Sequence, residues 1–142
     1  MISVHLAREL RAAGLRWRPS NGDRFVVADR GMDDEVFVLS DMTVELHRYP
    51  TGPVIGFNGT TEWALDSLDQ EDALWLPAEH QLRDLLGAAF LRLERTADGY
   101  DVVLLDDSAA AETRASGADP AEAYARAVLA RLSAVRTRAS TR

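Results

Sequence analysis

The sequence predicts one α+β domain in which helices pack against a mainly antiparallel sheet. Short runs of β-branched and aromatic residues follow one another across short turns, which cannot hold the long crossovers that parallel strands need. Apolar residues at helical spacing mark amphipathic helices near both ends of the chain. The 142 residues, 46% of them hydrophobic, suffice for one core of common domain size.

The predicted order of elements is helix, four strands, two helices, two strands and helix (α-β-β-β-β-α-α-β-β-α). Ser3 can cap the first helix and Gly14 can end it. Turn-forming residues separate the strands. We predict helices at residues 3–14, 60–68, 78–95 and from 120 onward, and strands at residues 25–27, 35–39, 43–47, 54–57, 100–105 and 110–115.

Two of these helices have the clearest patterns. One apolar stripe at i, i+3, i+4, i+7, i+8 and i+11 predicts a single helix over residues 78–95. Asp119 and Glu122 form a capping box around Pro120, which begins the last helix. The stripe of the first of these helices is Leu82, Leu85, Leu86, Ala89, Phe90 and Leu93, and that of the second is Tyr124, Val128, Leu132 and Val135.

The pattern predicts a single domain over residues 1–137, with residues 62–77 as the candidate seam between two lobes and residues 138–142 as a frayed Arg-containing tail. The chain has no cysteine, and no apolar run approaches the roughly 20 residues that cross a bilayer. Charged residues interrupt the apolar residues near the N-terminus, whereas a signal peptide has an uninterrupted apolar stretch. We therefore expect a cytoplasmic protein that does not engage a membrane.

The sequence lacks the residues that several kinds of catalytic and cofactor-binding site require. All 16 basic residues are arginines, so Schiff-base and P-loop lysines are excluded. His5 and His80 could each pair with a carboxylate four positions on, but neither pair has a third ligand that a metal site would need. The chain has no nucleophile elbow and no Gly-rich phosphate loop. We expect no catalytic residue, no metal and no cofactor.

The net charge of −7 hides a division along the chain. Residues 29–107 contain 18 acids against 5 arginines, whereas residues 123–142 contain five arginines and no acid. Such runs often serve only as solvated surface or complement a helix dipole. They also suit an acidic face for a basic partner or an arginine-rich end for an acidic one. The acidic middle disfavours a general nucleic-acid binder.

Two groups of residues are candidates for contact with a protein partner. The segment Arg16-Trp17-Arg18 combines an aromatic ring with two cations, which are residue types favoured at binding hot spots. The other group comes from the acidic runs. The candidate residues are Arg16, Trp17, Arg18, Asp33, Asp34, Asp69, Glu71 and Asp72.

Residues 1–17, 22–25, 33–38, 57–67 and 74–77 together carry a resemblance to known proteins. They resemble a largely uncharacterised family of short actinobacterial proteins that are often labelled pilus assembly protein CpaE. The Trp-Leu-Pro segment at 75–77 and the elements after it are also similar to small phage-related proteins of Gram-positive bacteria. Because the chain lacks a phosphate loop and lysine, the resemblance implies family membership and neither an ATPase activity nor site residues.

The first functional hypothesis is a small non-enzymatic protein-binding or adaptor protein with an unidentified protein partner. A second is a phage- or defence-linked regulator whose clustered acids mimic nucleic-acid phosphates. A third is an enzyme with an unrecognised site. Acids in a spaced stripe would favour mimicry, and a pocket that joins a histidine to buried acids would favour catalysis.

Overall fold

The structure, a computed structural model, describes residues 1–27, 32–39, 54–55, 68–69, 73–106 and 111–140. For residues 32–35, 54–55, 68–69 and 136–140 the description covers the backbone.

The described elements confirm the predicted α+β class, and every described strand pair is antiparallel. The strands form three sheets, with the orders β2-β1-β5, β3-β4 and β6-β7-β8. In chain order the elements are α1 (Val4–Ala12), β1 (Arg24–Val27), β2 (Met32–Val38), β3 (Val54–Ile55), β4 (Leu68–Asp69), β5 (Ala73–Leu76), α2 (Glu79–Leu86), a 3-10 turn (Gly87–Ala89), β6 (Phe90–Arg95), β7 (Tyr100–Asp106), β8 (Ala111–Gly117) and α3 (Pro120–Ser140).

The chain divides into two compact units. Unit 1 combines Met1–Arg16 with Pro77–Arg142, and unit 2 is Trp17–Leu76. The single domain over 1–137 and the seam at 62–77 stay predictions. Helix α3 reaches Ser140, and the fraying of residues 138–142 also stays a prediction.

In unit 1 the helix α3 packs on β7 and β8, while α1 and α2 pack against α3. Its core is built from apolar side chains of the three helices and of β7. Gly117 sets the close approach at the start of α3, because a Cβ there would lie 2.4 Å from the backbone nitrogen of Ala123. The core side chains include Leu6, Leu10, Leu82, Leu86, Val102, Leu104, Tyr124 and Val128.

The predicted helix caps are confirmed at both ends of the chain. The amide of Leu6 donates to Ser3 Oγ at 3.1 Å and starts α1. At α3 the amide of Glu122 donates to Asp119 Oδ1 at 2.9 Å, and the Glu122 carboxylate accepts from the amide of Ala118 at 2.8 Å. These bonds satisfy amide groups that a helix start leaves without partners.

The prediction of one helix over residues 78–95 is wrong. Helix α2 ends at Leu86 because Gly87 adopts a φ of +56°, and residues 90–95 form the strand β6. Within β6, Leu93 pairs with Val102. Leu85, on the predicted apolar stripe, is 49% exposed. The apolar stripe is therefore divided among an α-helix, a 3-10 turn and a strand.

Unit 2 contains the sheet β2-β1-β5 and an aromatic core. Phe25 of β1 lies between the rings of Trp17 and Phe37, with centroids 5.4 Å and 5.6 Å away. Val27, Leu39 and Ala73 complete the buried cluster, and Trp75 packs against it. The predicted strands at 25–27 and 35–39 are confirmed as β1 and β2.

Other predicted elements fall partly or wholly outside the described residues. The strand at 43–47 lies outside them. Of the helix at 60–68 only Leu68 is described, and it lies in β4 opposite Ile55. Of the strand at 54–57 the structure describes β3. Strand β5 was not predicted, and its four residues pair with all of β1.

Candidate functional site

Trp17 of the predicted Arg16-Trp17-Arg18 anchor is buried rather than presented at the surface. Its exposed fraction is 8%, and its ring packs on Phe25. The indole Nε1–H donates to Asp23 Oδ2 at 2.8 Å. Arg16 and Arg18 are exposed. The apolar surface of Trp17 and its one donor are thus used within the fold, and the contact role of Arg16, Trp17 and Arg18 stays a prediction.

The buried Asp23 carboxylate explains why the Trp17 side chain lies inside the fold. Asp23 is only 4% exposed, and its Oδ2 also accepts the amide of Ser20 at 2.9 Å. Its backbone pairs with Leu39, whose amide donates to the Asp23 carbonyl at 2.9 Å. A buried carboxylate needs such donors. The Trp17–Asp23 bond thus holds the turn before β1 in place.

The side chains of the predicted acidic contact residues are outside the described part of the structure. Asp33 and Asp34 lie on β2 and Asp69 lies on β4, where the description covers the backbone. Glu71 and Asp72 lie outside the described residues. The contact role of these five acids stays a prediction.

One face of the β6-β7-β8 sheet carries a network of ion pairs, here called the ion-paired face. Arg92 makes a two-bonded pair with Glu112, with both N–O distances 3.0 Å, and a further bond to Glu94 at 2.6 Å. Arg114 contacts Glu94 and reaches Asp101 at 3.5 Å. Each of the three acids in this network therefore contacts an arginine, so they do not form a stripe of unpaired negative charge.

The arginines shift the titration of the acids that they contact. Hydrogen bonds from Arg114 and then Arg92 hold the pKa of Glu94 below its ordinary value. A hydrogen bond from Arg92 lowers the pKa of Glu112 in the same way. The same contacts raise the pKa of Arg92. Because these groups face water, their pairing fixes the charge pattern of the face more than it stabilises the fold.

The described histidines lie at the surface. His5 Nε2 is 2.8 Å from Glu9 Oε1, which confirms the predicted pair, and both side chains are exposed. His80 is exposed at the start of α2, and His47 lies outside the described residues. Within the described residues, no group of three or more histidine and carboxylate side chains could hold a metal ion.

A groove of about 290 Å³ runs between the sheet and the C-terminal half of α3. Its apolar lining comes from β7, β8 and one side of the helix. Its polar lining combines one acid, one hydroxyl and two cations. The apolar residues are Leu104, Leu105, Ala115, Ala130, Ala134 and Val135, and the polar residues are Asp106, Thr113, Arg114 and Arg131.

The groove forms because α3 continues where the surrounding core ends. The helix has 21 residues and is about 31 Å long. Tyr124 and Val128 of its predicted apolar stripe are buried, whereas Val135 on the same stripe is 61% exposed. Ala130 and Ala134 are also exposed. The stripe thus leaves the core and becomes one wall of the groove.

Arg131 differs from the arginines near it. Arg126, on the same helix, contacts Glu122 at 2.7 Å and donates to the Ser116 carbonyl at 2.9 Å. The Arg114 guanidinium contacts Glu94 and Asp101. No carboxylate of the described residues forms an ion pair with Arg131, which is exposed at the groove. Of the two arginines that line the groove, Arg131 is therefore the one that no described carboxylate pairs with.

Sequence patterns had pointed to only part of this site. The acid-free stretch at 123–142 contains Arg131, but nothing in the stretch singles out that arginine. Val135 was predicted on the core side of its helix. The exposure of Val135 depends on which residues of other elements lie beside it, and the spacing of apolar residues along one helix contains no information about those residues.

No helix within the described part of the chain is long and apolar enough to span a bilayer. Comparison with known proteins finds no matching protein-family model, no similar curated protein and no similar solved structure. The resemblance to the actinobacterial and phage-related proteins therefore stays a prediction.

Proposed function

We propose that this protein is a small non-enzymatic binding protein that acts through contact with a protein partner, and that the groove beside α3 is its contact surface. The observation that carries the proposal is the apolar wall of the groove, where Ala130, Ala134 and Val135 are exposed in a row along the helix. Exposed apolar surface bounded by polar residues is typical of interaction sites.

The shape of the groove favours a protein segment over a small molecule. Pockets for small molecules enclose most of their ligand. Here Val135 is 61% exposed, and the helix wall is open to solvent. A groove of this size accommodates one or two apolar side chains of a partner whose remaining surface stays outside it.

The proposal changes the position of the contact surface and keeps the function expected from the sequence. Phosphate mimicry has less support, because the described acids of the ion-paired face are each paired with Arg92 or Arg114. The acidic runs at 33–34 and 69–72 stay candidates for a second contact. We also propose a cytoplasmic location, which the absence of cysteine favours.

A groove-filling substitution tests the proposal. Immobilised full-length protein is used to capture partners from the cells that produce it, in parallel with Ala134→Trp and Ala12→Trp. Both alanines are exposed and helical, but only Ala134 lines the groove. We expect a protein that the unmodified chain and Ala12→Trp retain and that Ala134→Trp retains at least about tenfold less, a loss of about 1.4 kcal/mol in binding.

The same comparison can reject the proposal. Equal capture by all three proteins would mean that binding occurs elsewhere on the molecule. Capture of no specific protein by any of them would argue against a binding function. Far-ultraviolet circular dichroism of each variant verifies that the substitution at the exposed position leaves the helices folded.

A further inference from the structure

We infer that the groove beside α3 binds an acidic amphipathic segment of a partner protein, with an apolar side chain against Val135 and a carboxylate against Arg131. This inference rests on the proposed function and specifies the chemistry of the partner. It combines the apolar wall, the cation without a described acid partner and the charge of the surrounding helix, each of which is an independent observation.

The charge around Arg131 selects an anionic partner. The last acid of the chain is Glu122, so every charged residue of α3 beyond its first turn is an arginine. Arg126 is already paired with that acid, whereas Arg131 has no acid partner among the described residues. A carboxylate and a guanidinium form short, charge-assisted bonds, and those at the edge of an apolar contact are only partly screened by water.

The apolar component requires a particular spacing in the partner. Val135 lies four residues after Arg131, so the two side chains occupy the same side of α3 about one helical turn apart. A partner segment must therefore offer an apolar side chain and a carboxylate about 6 Å apart, as neighbouring turns of an amphipathic helix or alternate residues of a strand do.

A protein segment satisfies the groove better than a nucleic acid does. A nucleic-acid surface needs several cations free to contact phosphates. Two arginines line the groove, and one of them, Arg114, already contacts Glu94 and Asp101. One cation that no described carboxylate contacts, beside an apolar wall, suits one carboxylate beside an apolar side chain.

A displayed library of random peptides, selected on the full-length protein, tests this inference. Selection on Ala134→Trp in parallel identifies the peptides that need the groove. We expect the groove-dependent peptides to combine an apolar residue with an aspartate or glutamate at the required spacing. For one such peptide, Arg131→Gln should weaken binding about tenfold. Arg131→Lys should restore part of the loss.

Two controls isolate the carboxylate contact. Arg95→Gln removes a positive charge from an exposed position at the end of β6, outside the groove, and should change the affinity less than twofold. Replacing the peptide carboxylate by its amide should weaken binding to the unmodified protein as much as Arg131→Gln does. Combining both changes should add little, because each removes the same contact.

The outcomes separate the two proposals. Groove-dependent peptides without acids, or an affinity that Arg131→Gln leaves unchanged, would overturn the acidic partner and keep the groove as a binding surface. Absence of any peptide that prefers the unmodified protein to Ala134→Trp would overturn both. Tighter binding of a random-sequence DNA duplex than of any peptide, lost in Arg131→Gln, would overturn the inference in favour of nucleic acid. Self-association that Ala134→Trp abolishes would overturn it in favour of a second copy.

Discussion

The ion-paired face and the groove belong to the same sheet and share Arg114, but they treat charge differently. On the ion-paired face, Arg92 and Arg114 both contact carboxylates of the neighbouring strands. At the groove, Arg131 lies on a helix whose only acid beyond the cap residue is Glu122, already in contact with Arg126. The first face satisfies its own charges, and the second leaves one cation and an apolar wall exposed.

This difference shows that the number of charges on a surface is a poor guide to where it binds. The ion-paired face has more charged groups than the groove, but each of its arginines already has an acid partner. A partner would have to displace those contacts, which cancels much of the electrostatic gain. The groove offers fewer charges, and Arg131, which no described carboxylate pairs with, lies beside apolar surface.

The substitution with the largest expected effect is in the helix-covered face, which is the face of the β6-β7-β8 sheet on which α3 packs. It tests whether this face contributes most of the stability. Tyr124 is 2% exposed, and its ring lies 5.5 Å from that of Phe90 and 5.8 Å from the Arg83 guanidinium carbon. Tyr124→Ala should lower the free energy of unfolding by about 3–5 kcal/mol, as for other buried aromatic residues. A urea titration followed by circular dichroism measures the loss.

Tyr124→Phe is the control for this prediction. It keeps the ring and its contact with Phe90 but removes the hydroxyl near Arg83, so most of the stability should remain. A loss of under about 1 kcal/mol for Tyr124→Ala would mean that the helix-covered face contributes little, and the distinction between the two faces would fail.

The sequence predicted most elements of the fold because their signals are local. The caps at Ser3 and Asp119 and the alternation in the strands each lie within a few residues. The wrong prediction of one helix over 78–95 arose because the apolar residues of this segment fit both the helical period and the alternation of a strand. Phe90 and Leu93 are three residues apart, which suits a helix, while Leu91 and Leu93 alternate as a strand requires. Over so short a run, only the end of the helix at Gly87 distinguishes the helical interpretation from the strand interpretation.

The candidate site was harder to predict because it depends on contacts between distant residues. Trp17 between two arginines resembles an exposed anchor, but Asp23 accepts its indole N–H once the turn forms. The pairing of Arg92 with Glu112 joins residues 20 positions apart. Arg131 is distinguished only by the absence of such a partner in the described residues. No local pattern reports which cations the fold leaves available.

A matched pair of substitutions on one strand compares the two faces directly. Val102 and Val103 of β7 are both fully buried, but they point to opposite faces. Val102 faces the helix side beside Ala115, and Val103 lies between Arg92 and Arg114. Val102→Ala should cost about 2–3 kcal/mol, and Val103→Ala about 1 kcal/mol, because exposed arginine stems can move to fill the space.

The measurement is the same urea titration for both variants, and the difference between them is the result of interest. Equal losses would mean that the arginine side chains form a cover as rigid as the helix. A larger loss for Val103→Ala would reverse the comparison, because the ion-paired face would then be the better packed of the two.

The smallest expected effect concerns the charges of the ion-paired face themselves. Contacts with Arg114 and Arg92 lower the pKa of Glu94, and Arg92 lowers that of Glu112, from ordinary values of 4.5. A carboxylate with a lowered pKa in the folded state contributes stability that is present above the unfolded value and is lost as the pH falls through the folded one. The contribution of these glutamates should therefore be constant near neutral pH and decline below about pH 4.5.

Glu112→Gln measures this contribution. The difference in unfolding free energy between the variant and the unmodified protein should be small at pH 7, smaller still in high salt, and absent once Glu112 is protonated in both states. Asp84→Asn, at an exposed position of α2 outside the ion-paired face, is the control for the loss of one negative charge. A difference for Glu112→Gln that exceeds the effect of Val103→Ala would show that the paired charges, and not the apolar side chains beneath them, hold that face of the sheet.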